Sequence, residues 1–142
     1  MPNIVAAQGS SLKFEHSQLS IKSKDTLHVF QIEIAANDSQ RAYGMMFRNE
    51  IGENDGMLFI YDHKREINMW MKNTFISLDI VFIDDAGKII NIAHSAQPMS
   101  LSRIRSGGEA KAVLELKGGA AKRLEIEAGD DIIYPIFQNI SK

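Results

Sequence analysis

The densest collection of chemically capable side chains is the run from Met69 to Asp84. There an indole (Trp70), an ammonium (Lys72), an amide (Asn73), a hydroxyl (Thr74) and a carboxylate (Asp79) stand beside the strongest strand signal in the chain. Polar groups that close to a buried strand need specific partners or a ligand. The run contains no nucleophile paired with a base, no metal-ligand spacing and no phosphate loop. It marks a site without naming a reaction. Ser77 has no elbow glycines around it and gains no nucleophile role.

Strand alternation through Met69–Thr74 puts Met69 and Met71 on one face and Trp70, Lys72 and Thr74 on the other. A tryptophan beside a lysine and two hydrogen-bonding side chains fits the floor of a small-molecule or sugar pocket. The plainer alternative is that Trp70 is core and Asn73-Thr74 satisfies backbone at a turn. Asp79 is the sharper residue, because a carboxylate inside an apolar strand must be paired or else neutral. Its expected partners are Lys72, Arg41 and Arg48.

A second constellation lies near residue 40, where Arg41, Gly44, Met45 and Arg48 fall at i, i+3, i+4 and i+7 of an expected helix. Two guanidinium groups on one face could grip a carboxylate or phosphate. Alternatively they flank the apolar face and pair with internal acids such as Asp79 or Glu115. Six methionines between Met45 and Met99 raise a copper reading, since thioethers suit Cu(I), although core packing explains a scattered set better. His16, His28, His63 and His94 show no ligand spacing to one another.

These groups must be positioned by mainly β structure. Leu27–Ala36 alternates with a period of two, and Asn37-Asp38 offers an N-cap to a short helix over Ser39–Phe47. Met57–Tyr61 and Asn68–Lys72 read as two strands. Leu78–Ile83, apolar on both faces, is joined by Asp84-Asp85-Ala86-Gly87 to Lys88–His94 as a hairpin expected in mid-sheet. Gln97–Glu109 reads as a long loop, Lys111–Lys117 as a strand, Ala120–Ile126 as one or two helical turns and Ile132–Phe137 as the last strand. The expected architecture is a single compact antiparallel β-barrel or sandwich-like domain with one or two short helices. Residues 1–26 form an N-terminal segment with short edge strands, and 27–142 form the β domain.

The 142 residues suit one domain, and a composition of 44% hydrophobic and 24% charged residues fits a globular chain that buries its own core. A net charge of -2 offers no basic field and argues against a nucleic-acid partner. The absence of cysteine removes disulfides, thiolate chemistry and Cys-based zinc sites. No stretch has the length of a membrane span, and Met1–Gln8 lacks the regions of a signal peptide. Ile4-Val5-Ala6-Ala7-Gln8 reads as a mature end left after cleavage.

With those residues in view, the chain resembles the Domain of Unknown Function 192 family of bacteria and archaea. The matching pieces, in family order, are Arg41–Arg48, Gly56–Phe59, Trp70–Thr74, Leu78–Asp84, Gly87, Pro98, Val113–Glu115 and Gly129-Asp130. The chain departs from the pattern at Ser77, where proline is frequent, and at Met69, where an aromatic is frequent. The resemblance implies a compact, mainly β fold and, from its exported or lipid-anchored relatives, a periplasmic or exported location. It implies no reaction.

The expectation for function is therefore a non-enzymatic extracytoplasmic domain that binds a small anionic or polar ligand, or a partner chain. Its candidate ligand-binding residues are Arg41, Arg48, Trp70, Lys72, Asn73, Thr74, Asp79 and Glu115, with no catalytic residue, metal ligand or cofactor assigned. The alternatives are a hydrolase-type enzyme using Asp79 or Glu115 as general acid or base, and a methionine-based copper protein.

Overall fold

A computed structural model describes residues 12–138; the Ile4–Gln8 start lies outside them. Seven strands form one sheet: β1 (Glu15–Ser23), β2 (Thr26–Ala35), β3 (Asp55–Met69), β4 (Leu78–Ile83), β5 (Ile89–Ala96), β6 (Ile104–Lys117) and β7 (Asp131–Ile133). Two short helices, α1 (Asp38–Tyr43) and α2 (Ala120–Arg123), and a 3-10 turn at Pro135–Phe137 accompany it among the described residues. The spatial order is β5-β4-β6-β3-β2-β1-β7. Neighbours are antiparallel except β2 and β3. The sheet curls into a half-barrel whose edges meet where Lys88 bridges Asp131. At that seam Ile89 N–H donates to the Asp130 carbonyl at 2.9 Å and Ile132 N–H to that of Gly87 at 2.7 Å.

Period-two alternation divides the apolar residues between two faces. Leu19, Phe30, Leu58, Val81, Leu114 and Ile132 fill the face inside the curl. Met57, Phe59, Ile80, Phe82 and Val113 lie on the opposite face, packed with Met45 and Met71 from the connecting segments. All six residues of β4 are buried, which explains its unbroken apolar run.

The observed elements correct several expectations. β4 lies inside the sheet, but its hairpin partner β5 is an edge strand; the middle is held by β6 and β3. The two strands expected around residues 57–72 are one strand ending at Met69. Of the expected Gln97–Glu109 loop, residues 97–103 are loop, and Ile104–Glu109 begin β6, which tolerates Gly107-Gly108 because its register against β3 shifts there. β1 is a full strand between β2 and β7 rather than a set of short edge pieces. After the short β7, Pro135 ends the ladder and begins the 3-10 turn.

α1 forms where the sequence supplies a capping box. The Asn37 side chain accepts from Gln40 N–H at 2.8 Å, and Gln40 Oε1 accepts from Asn37 N–H at 3.3 Å. It ends at Gly44, whose φ of 51° and ψ of -131° suit glycine. A Cβ there would stand 3.2 Å from the Phe59 ring. The early stop means that Arg48, expected on the same helical face as Arg41, lies beyond the helix.

Candidate functional site

The end of α1, the second half of β3 and the Trp70–Thr74 turn enclose a cavity of about 290 Å³. Arg41, Trp70, Lys72, Thr74 and Glu115 of the expected set line it, joined by Tyr43, Phe59, Tyr61 and Arg65. The Trp70–Thr74 turn is set by Asn73, whose φ of 53° is left-handed, and closes with Thr74 N–H on the Met71 carbonyl at 3.1 Å. Thr74 Oγ1 donates to the Lys72 carbonyl at 2.9 Å. The Lys72 ammonium lies 5.2 Å from the centre of the Trp70 ring.

Glu115 is the unusual member. It sits on central strand β6, opposite Met57 of β3 and Ile80 of β4, and is only 4% exposed. Among the described residues its side chain has neither a hydrogen bond nor an ion pair. Burial pushes its carboxyl up to about 8, against the opposing pull of the Arg48 guanidinium. The group is therefore mostly protonated at pH 7, with an O–H to donate and, among the described residues, no acceptor for it.

The cations around it are committed to different degrees. Arg41 donates to the Ile60 carbonyl and to Asp38, both at 2.7 Å, and its guanidinium lies 5.2 Å from the Tyr61 ring centre. Arg65 lies 5.2 Å from the same centre. Burial raises the Tyr61 phenol, with Arg41 and Arg65 opposing and Glu115 reinforcing the shift. Among the described residues neither Arg65 nor Lys72 has an acidic partner within ion-pair distance.

Asp79 and Asn73 lie elsewhere, and Arg48, near enough to Glu115 to oppose its shift, is not in the cavity lining. Asp79 shares the inner face with Val81 and Ile83, the side of the sheet opposite Glu115. Among the described residues its carboxylate meets no cation; it accepts from the N–H groups of Ser95 (2.8 Å), Gly119 (3.0 Å) and Ala121 (2.8 Å). The expected convergence of Arg41, Lys72 and Asp79 is thus corrected, since Asp79 ties the β5 end and the start of α2 to β4. Arg48 forms a two-pronged pair with Glu33 and borders a separate groove of about 590 Å³ with His16 and Ile51. The Asn73 amide reaches only the Met46 sulfur, at 4.0 Å. Ser77 Oγ donates to the Ala96 carbonyl at 3.0 Å, a structural bond.

The family model of DUF192, described as "Uncharacterized ACR", matches residues 19–134. The chain belongs to that family. It is 27% identical over 113 residues to a UPF0127 protein of Pyrococcus abyssi (strain GE5 / Orsay), covering 78% of this chain and 92% of the relative. Among solved structures it is similar to a candidate transcription regulator from Sinorhizobium meliloti 1021, with a TM-score of 0.83 and 34% identity over 85% of this chain and 95% of that one. It is also similar to a protein of unknown function from Novosphingobium aromaticivorans DSM 12444, with a TM-score of 0.82 and 31% identity over 94% and 100% of the two chains.

In this member of DUF192 the motif pieces Arg41–Arg48, Gly56–Phe59, Trp70–Thr74 and Val113–Glu115 all supply residues that line or back the cavity. Gly56 instead lines the Arg48 groove and keeps β3 close to β6, since a Cβ there would meet the Glu115 carbonyl oxygen at 2.8 Å. The sequence reading missed Tyr43, Phe59, Tyr61 and Arg65. A signal existed for Tyr61, since alternation from Met57 through Phe59 places it on the cavity face. Arg65 carries none, because a register shift separates it from Ile60.

Proposed function

We propose that this protein is a binding domain for a small anionic or polar ligand, held in the cavity over Glu115. The observation that supports the reading is the isolation of the Glu115 carboxyl. A buried polar group without a partner costs about 1 to 3 kcal/mol, a cost a ligand offsets by accepting its proton. Lys72 and Arg65 at the rim favour negative charge on that ligand. Export from the cytoplasm belongs to the same proposal and rests on the family resemblance; the S. meliloti relative's regulator designation is that protein's own.

Melting curves with a panel of phosphates, carboxylates and sugars test the reading. An anion at a hundred times its dissociation constant stabilises the native state by about 2.7 kcal/mol, and Lys72→Ala should weaken that effect. A panel in which nothing stabilises the wild type would sink the proposal.

The protonated state of Glu115 near neutrality also favours a second reading, in which it acts as general acid in a hydrolase-type reaction. Asp79 drops out of that role because three backbone N–H groups occupy its oxygens. Glu115→Gln separates the readings. It should retain binding in both and abolish turnover only in the second.

A further inference from the structure

Resting on the binding reading above, we infer that the ligand is an amphiphilic carboxylate: one acidic head in the cavity, and an apolar body extending along the aromatic row that leaves it. The head follows from the groups available. Glu115 offers a neutral O–H, and a carboxylate oxygen is its matched acceptor. Lys72 is a point charge without an acidic partner among the described residues, beside Trp70. Of the two guanidinium groups at the cavity Arg41 is already held by Ile60 and Asp38, which leaves the single fork of Arg65, and one fork matches one carboxylate.

The body follows from what lies outside the cavity. Tyr43 lines it, packs on Phe47 with ring centres 5.9 Å apart, and Phe47 packs edge-on to Phe75 at 6.0 Å. The row therefore leads continuously from a charged cavity onto the surface, where Phe47 is 50% and Phe75 47% exposed. Isolated exposed apolar residues are ordinary, but a connected row joined to a cavity marks a contact surface. The backbone holds it there under strain: Phe47 has φ 67°, and its N–H donates to the carbonyl of Asn73, φ 53°, at 2.9 Å. Met99, φ 69° and also exposed, donates its N–H to the Thr74 carbonyl at 3.0 Å and flanks the same turn.

The chain carries its own probe, because Trp70 is its one tryptophan and sits at the rim. Trp70 fluorescence would be titrated with 4-phenylbutyrate, octanoate, 4-phenylbutyramide, acetate, inorganic phosphate, and an apolar tetrapeptide with a free or an amidated C-terminus. We expect saturable binding of the tailed acids, at least tenfold tighter than acetate and than the neutral amide. Phe75→Ala should bring the tailed acids several-fold closer to acetate. Binding of the free peptide but not the amidated one would place the carboxylate on a chain terminus; preference for the small acids would place it on a free metabolite-sized acid. Acetate or phosphate binding as tightly as the tailed acids, or the amide matching the acid, overturns this inference and leaves the binding reading standing. If no compound perturbs Trp70 or the melting temperature, both fall.

Discussion

Glu115 gives the sharpest quantitative expectation. Its carboxyl is held at about 8 in the folded protein against an ordinary 4.5, by burial. Between those values the native state keeps a proton that the unfolded chain has released, so stability falls as pH rises through the interval. The slope is about 1.4 kcal/mol per pH unit, which amounts to roughly 4 to 5 kcal/mol from pH 4.5 to 8 and about 3 kcal/mol by pH 7. No discount for solvent screening applies, because the side chain is buried. The rest of the chain contributes equally to both proteins, so the informative quantity is a difference. Glu115→Gln preserves shape and cannot ionise; it should match the wild type below pH 4.5 and exceed it by about 4 kcal/mol at pH 8.5. Denaturant unfolding of both proteins from pH 4.5 to 9 measures that gap, with the slopes on denaturant checked for equality. Parallel profiles would refute the argument and mean that a donor, a cation or a water path stabilises the ionised carboxylate.

Three further outcomes are expected. Phe82→Ala, in a strand buried on both faces, should cost about 3 to 5 kcal/mol, and a melting shift near zero would contradict the packing. Asp79→Ala strips three N–H groups of their acceptor and should cost about 3 to 5 kcal/mol, with faster amide exchange at Ser95, Gly119 and Ala121. Cu(I) should neither bind stoichiometrically nor raise the melting temperature, since Met45, Met57 and Met71 are packed in apolar core; tight binding that a Met-to-Leu change removes would reverse this.

Local patterns carried much of the fold. The alternation of β2, the Asn37 cap, the buried run of β4 and the Asp84–Gly87 turn all depend on residues within a few positions of one another. Asp84 Oδ1, for instance, accepts from the N–H groups of Ala86 and Lys88, at 2.9 and 2.8 Å. The cavity's aromatic and cationic lining was legible in part for the same reason, because Trp70, Lys72 and Thr74 lie together in sequence. The strand Asp55–Met69 was cut in two because charged Asp62–Glu66 interrupts its apolar pattern, while β6 holds it in place on one side.

Local sequence establishes which segments alternate and that Asp79 and Glu115, each within an apolar run, need an account. Tertiary structure decided their different fates. Asp79 is satisfied by backbone N–H groups of Ser95, Gly119 and Ala121, and a backbone donor has no residue-type signature. Glu115 is left alone because strand order puts β6 between β3 and β4, and parity puts its side chain on the face opposite Asp79. Gly44 ends α1 early enough to send Arg41 to the cavity and Arg48 to Glu33. Order, register and face set the distances between residues remote in sequence, and those distances decide whether a buried charge is paired, neutral or available to a ligand.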